Sequence, residues 1–226
     1  MKYSIIVIGD ELLIGQVTDT NSGWIARHLT PLGWDVKNVH VIADDANEIS
    51  HAIDEAFAQT DVVLMTGGLG STKDDITKPA LCRYFGGELT YDEATAANVA
   101  KVMEKRGLAL NAYTATQAMV PSSCTVIQNE VGTAPIMWFE HHGKVLVAMP
   151  GVPHETETMM QRAVIPQLVK TFNSNEHIEH RTFIIIGIIE AGIVSAGLTG
   201  LWTRFVHGLV IILSLSGYAL FTRRRE

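Results

Sequence analysis

Short runs of consecutive apolar residues alternate along the first part of the chain with segments whose apolar positions recur every three or four residues. Tyr3-Ser4-Ile5-Ile6-Val7-Ile8 is the first run, and it ends at Gly9. Near-continuous apolar character of this kind fits a strand buried on both faces, as in a parallel sheet. Trp24, Ile25 and Leu29 then fall at helical spacing, with Thr20 or Asn21 placed to cap the segment and Gly33 to end it. A second strand is predicted over 35–42. Asn47 is expected to cap the next helix, whose Ile49, Ile53, Ala56 and Phe57 share one face. Residues 61–65 form a third strand, and 76–85 a helix closed by Gly86-Gly87. Alternation at this spacing predicts βαβ units around a parallel sheet, an α/β fold.

Beyond Gly87 the pattern loosens. A helix is predicted over 92–106, with Val99 and Met103 inward, and a short one over 111–119. Residues 136–139 and 144–149 read as a hairpin turning at His142-Gly143. His141 and His142 are expected to point apart and not to hold a metal. A helix opening at Glu155 runs to about Phe172, interrupted near Pro166, and 181–186 begins another strand.

This topology says where chemistry can occur, because open parallel sheets bind ligands beyond the carboxyl ends of their strands. Glu11, Asp44, Asp74 and Asp75 all follow strand ends. The third strand runs straight into Thr66-Gly67-Gly68-Leu69-Gly70-Ser71-Thr72-Lys73-Asp74-Asp75. A glycine-rich passage from strand to helix presents free N–H groups to an anion. Two carboxylates cannot grip that anion themselves, but they can hold a divalent ion that does. The competing reading is a tight turn whose aspartates only cap the following helix.

A formal charge of −7 and a pI near 5.7 exclude a general nucleic-acid binder, which needs a basic face. Cys82 and Cys124 are far apart in sequence and lack metal-site spacing, so they read as free thiols in a reducing compartment. The chain opens directly on a strand pattern, so no secretory signal is expected and the cytoplasm is the expected location.

Four segments in order then carry a resemblance. They are Gly9-Asp10-Glu11-Leu12-Leu13-Ile14-Gly15-Gln16 with Thr20-Asn21, the glycine stretch from Thr66 to Asp75, Gly132-Thr133-Ala134-Pro135, and Pro150-Gly151-Val152-Pro153-His154-Glu155. Together they resemble the competence/damage-inducible CinA family in its N-terminal domain, over roughly residues 1–190. The resemblance implies a three-layer α/β/α MoaB/MogA-like fold with a mostly parallel sheet. It also implies divalent-metal-dependent hydrolysis of nucleotide diphosphates such as ADP-ribose. Full-length members carry a C-terminal nicotinamide-nucleotide amidase domain. The chain stops too early to hold one, so no amidase activity is expected. Ser71, Ile136 and Thr156 depart from the proline, glycine and methionine usual at these positions, and none removes a charged group.

On this reading Asn21, Thr66, Gly67, Gly68, Gly70, Thr72, Gly132, Thr133 and Gly151 are expected to bind substrate. Asp44, Asp74 and Asp75 supply the ligands of a divalent metal, Mg, Mn or Co. Asp75 is also expected to act in catalysis. Lys73 would stabilise the leaving phosphate or form a solvated ion pair. The base is left open between Glu11 and Glu155. A rival function is a binding or adenylyl-transfer module for a molybdopterin phosphate, without hydrolysis. A third reading is a degenerate product that folds poorly.

The domain is expected over 1–172, with the start of a linker domain over 173–190. From about residue 190 the family pattern ends, and an atypical apolar tail follows over 191–226. Its abrupt onset suggests a shifted reading frame or truncation. The alternatives are a membrane anchor through 205–221, with Arg223, Arg224 and Arg225 on the cytoplasmic side, or a core helix. An exposed apolar segment of that size invites pairing of chains, so a homo-oligomer is expected.

Overall fold

The computed structural model describes residues 1–70 and 76–172, all within a unit spanning Met1–Glu179. Thr72, Lys73, Asp74, Asp75, the strand predicted at 181–186 and the apolar tail lie outside the described residues. Among the described residues no helix is long and apolar enough to cross a membrane.

The elements follow the predicted alternation. Strand β1 (Lys2–Ile8) leads through a short helix α1 (Asp10–Leu13) into α2 (Asn21–Leu29), and β2 (Asp35–Ile42) into α3 (Ala46–Gln59). Strand β3 (Val62–Gly67) precedes α4 (Thr77–Phe85), β4 (Leu89–Tyr91), α5 (Glu93–Lys105) and α6 (Ala112–Ala115). Then come β5 (Met119–Pro121), β6 (Thr125–Ile127), β7 (Ile136–His141), β8 (Lys144–Met149), α7 (Pro153–Met159) and α8 (Ile165–Phe172). The main sheet has six strands in the order β2-β1-β3-β8-β7-β6. Its first four strands are parallel, and β7 and β6 are added antiparallel.

Alternate side chains of each strand build two separate cores. Tyr3, Ile5 and Val7 of β1 pack with Ile25 and Leu29 of α2 and with Met159 and Leu168 beyond β8. Ile6 and Ile8 pack on the other face with Ile49 and Ile53 of α3 and with Ala80 and Leu81 of α4. The result is three layers, α/β/α, held chiefly by apolar burial worth roughly 1.5–3 kcal/mol per large side chain.

Local expectations are corrected in some places and met in others. Asp45, not Asn47, caps α3, accepting from the amides of Asn47 and Glu48, since its extended backbone aims the carboxylate at the first turn. Thr20 makes no side-chain cap on α2; Asp19 accepts from the amide and hydroxyl of Ser22 instead. The break near Pro166 is a π-helical turn, Met160–Val164, which accommodates the N–H that proline lacks. The rings of His141 and His142 lie 4.2 Å apart, because His142 takes a left-handed φ of 49° at the hairpin turn. Strands β4 and β5 form a second, two-stranded sheet that the loosened pattern did not reveal. Both cysteines are free; burial and then the nearby Cys82 push the Cys124 thiol up to about 12, which makes it a poor nucleophile.

Candidate active site

The chain leaves β1 toward α2 on one face of the sheet and leaves β3 toward α4 on the other. Connections that part in this way open a crevice between the carboxyl ends of the two strands. A cavity of about 460 Å³ lies there, lined by residues that follow β1, β3 and β8, among them Glu11, Asn21, Thr66, Gly67, Gly151 and Glu155.

The turn out of β3 requires glycine. Gly67 and Gly68 have φ of 93° and 66°, and a Cβ on Gly67 would stand 2.1 Å from the carbonyl oxygen of Ile8. The turn is braced by Gln117, whose Nε2 donates to the Leu69 carbonyl at 3.1 Å. The buried Lys78 ammonium donates in turn to Gln117 Oε1 at 3.1 Å. Lys78 thus supports the turn through Gln117.

Gly151 follows β8 and packs onto Gly67, so that a Cβ added to it would lie 3.2 Å from the Gly67 Cα. Its carbonyl accepts from Asn21 Nδ2 at 2.9 Å. Thr156, in place of the family's methionine, donates to the Pro150 carbonyl at 2.5 Å and pins the same turn. Asn21 Oδ1 and Thr66 Oγ1 are buried and find no hydrogen-bond partner among the described residues. Buried polar atoms in that condition are uncommon, and at a cavity wall they suit a ligand.

The segment carrying Gly132 and Thr133 closes the cavity on the side of Glu155. Glu155 is only 8 % exposed, and both of its oxygens are engaged. Asn129 Nδ2 donates to Oε2 at 2.9 Å, and the Arg106 guanidinium lies 3.6 Å from Oε1. Arg106 also donates to the Val131 carbonyl at 2.8 Å, and Asn129 to that of Ala134 at 3.0 Å. Gly132 must be glycine, because a Cβ would sit 1.8 Å from Glu155 Oε2. Glu155 thus has the contacts of an anchor for this loop, whereas Glu11 is exposed at the cavity and has no comparable ties among the described residues.

Asp44 stands at the end of β2, where its Oδ1 accepts from Thr77 Oγ1 at 3.3 Å and its amide donates to Asp10 Oδ1 at 3.3 Å. It therefore faces the first residue of α4, just past the glycine stretch. Among the described residues no three acidic, histidine or cysteine side chains converge on a metal position. Of the three expected ligands only Asp44 is described; carboxylate oxygens of this kind suit a hard divalent ion.

Sequence reading missed Asp19, Lys78, Arg106, Gln117 and Asn129. Asp19 acts on Ser22 only three residues on and could have been found as a helix cap, whereas Lys78, Arg106, Gln117 and Asn129 act on partners 25 to 48 residues away that no local pattern marks.

A family profile described as "Probable molybdopterin binding domain" matches residues 4–170. A CinA-like protein of Cytophaga hutchinsonii is 42% identical over 186 residues, covering 82% of this chain and 44% of its own length. One of Flavobacterium psychrophilum is 40% identical, with 84% and 46% covered. The chain thus spans about half the length of these curated relatives. The crystal structure of a CinA protein of unknown function from Thermoplasma acidophilum superposes with a TM-score of 0.66 at 36% identity, covering 73% of this chain and 96% of that one. A molybdenum cofactor biosynthesis protein B matches with a TM-score of 0.52 at 20% identity, covering 76% and 94%, a likeness of fold alone.

Proposed function

Because the chain belongs to the molybdopterin-binding-domain family, in its CinA-like branch, we propose that its cavity hydrolyses the phosphoanhydride of a nucleotide diphosphate such as ADP-ribose, releasing AMP and ribose 5-phosphate. The supporting observation is the meeting, at one switch-point cavity, of the glycine turn at Gly67 and Gly68 with the exposed carboxylate of Glu11.

The backbone amides of the turn would hold one phosphate, with the buried Lys78 bracing the turn through Gln117. Glu11 would act as base. It takes a proton from the attacking water as the water oxygen bonds to phosphorus and the bridging oxygen leaves with its electron pair. Lys73 is proposed to stabilise that leaving phosphate. Asp44, Asp74 and Asp75 are the groups proposed to hold a divalent ion, Mg, Mn or Co. When bound, the ion would neutralise charge on the diphosphate and acidify water. Thr133 and Gly151 would border the substrate, and Glu155 would hold the Gly132 loop in place.

The purified chain incubated with ADP-ribose and Mg²⁺, Mn²⁺ or Co²⁺ is expected to release AMP, and excess EDTA is expected to stop it. Undiminished turnover after confirmed metal loss would overturn the metal mechanism. Asp75→Ala is expected to lower turnover by roughly 10²-fold or more, as for loss of a group acting at the reacting phosphate. Loss of a helix cap alone would cost only about 0.5–2 kcal/mol of stability. Wild-type rates in the variant, or failure through unfolding alone, would make Asp75 structural. The family description favours a second reading, binding of a pterin phosphate or adenylyl transfer to it. Copurifying pterin fluorescence without ADP-ribose turnover would support that one.

A further inference from the structure

Asn21 lines the cavity beside the glycine turn. Its side-chain amide is oriented by the Gly151 carbonyl: an acceptor at 2.9 Å must face the NH₂ group, so the Oδ1 atom is the one turned away. That oxygen is buried and has no partner among the described residues. It can only accept.

The cavity lining also includes Glu11 and Asp19, whose carboxylates are acceptors as well. In the first turn of α2 the Ser22 amide is taken by Asp19 Oδ1 at 3.2 Å and the Trp24 amide by the Thr20 carbonyl at 3.1 Å. An ionised phosphate brings acceptors only and can form no hydrogen bond with the Asn21 oxygen or these carboxylates. Gly151 packs onto Gly67, where the glycine turn begins, and a turn of this kind presents backbone donors to an anion.

We infer that Asn21 Oδ1 determines specificity by accepting a hydrogen bond from a donor on the ligand whose phosphate the glycine turn holds, an inference that rests on the phosphate reading above. Two sources carry such a donor beside a phosphate: the hydroxyls of a sugar phosphate and the ring amine of a phosphorylated pterin. A buried acceptor left unpaired by a ligand lacking the donor is penalised, which makes this contact discriminating.

The test is calorimetric titration of the full chain with methyl phosphate, ribose 5-phosphate and a pterin phosphate. Wild type is expected to bind ribose 5-phosphate about 5- to 150-fold more tightly than methyl phosphate, the range for one buried hydrogen bond. Asn21→Ala is expected to abolish that preference while still binding methyl phosphate. Asn21→Asp keeps an acceptor oxygen in place; it is expected to weaken both ligands through its charge and to preserve their ratio. If Asn21→Ala also loses methyl phosphate, the cavity has collapsed, and the ratio in Asn21→Asp decides: preserved it supports the inference, lost it overturns it. An Asn21-dependent preference for the pterin phosphate alone assigns the donor to an amine. Wild type binding methyl phosphate and both larger ligands equally would overturn the inference and leave the phosphate reading standing. Binding of none of the three would overturn that reading, and this inference with it.

Discussion

Gly67→Ala is expected to produce the largest loss, lowering both the melting temperature and turnover. Gly67 ends β3 with φ of 93°, and its Cβ position lies 2.1 Å from the Ile8 carbonyl oxygen. The φ alone strains alanine by about 1–2 kcal/mol. The clash adds to this, because Ile8 pairs with both Gly67 and Ile42 in the middle of the sheet and its backbone cannot withdraw. Either β1 and β3 separate at their ends, or the turn swings into the cavity. At about 2–4 °C per kcal/mol for a domain of this size, a midpoint shift of several degrees is expected. Displacing the turn by about 1 Å is expected to reduce turnover by roughly 10²-fold. Thermal unfolding and AMP release measured on the same sample check both. Normal stability with normal turnover would mean that the turn tolerates a side chain and does not approach the substrate.

Gly132→Ala is expected to have the second largest effect, and its cause is Glu155. The added methyl would occupy the place of the Glu155 carboxylate, 1.8 Å from Oε2 and 2.0 Å from Cδ. Expelling it breaks the hydrogen bond from Asn129, which is fully buried, and the contact with Arg106. A hydrogen bond to a charged group contributes about 1.5–3 kcal/mol. Arg106 is half exposed, so its share is small. In a Glu155→Ala background the same glycine substitution should add almost nothing, and a double-mutant cycle by denaturant unfolding would show the coupling. Glu155→Gln separates anchor from base. As an anchor it keeps an oxygen for Asn129, and turnover should stay within about tenfold of wild type; removing a general base costs roughly 10²–10⁴-fold.

Much of the framework is legible in the sequence because it rests on local periodicity. The apolar runs at Tyr3-Ser4-Ile5-Ile6-Val7-Ile8 and around Val62 and Val63 announce strands covered on both faces, and both cores are where those runs require. The glycine stretch was legible for a similar reason: positive φ at Gly67 and Gly68 is a property of the residues themselves. Less legible were the short strands β4, β5 and β6, three residues each and too brief to establish a period.

The sequence by itself thus determined the α/β alternation, the position of the glycine turn and the family to which the chain belongs. The tertiary structure decided what each site residue does. It tied up both oxygens of Glu155 while leaving Glu11 exposed, turned Asn21 Oδ1 into an acceptor, and placed the buried Lys78 behind the turn through Gln117. None of this could be read along the chain. A carboxylate or an amide acquires its role from partners that the fold brings within 3 Å from segments as far as 130 residues away, and no local pattern encodes that distance.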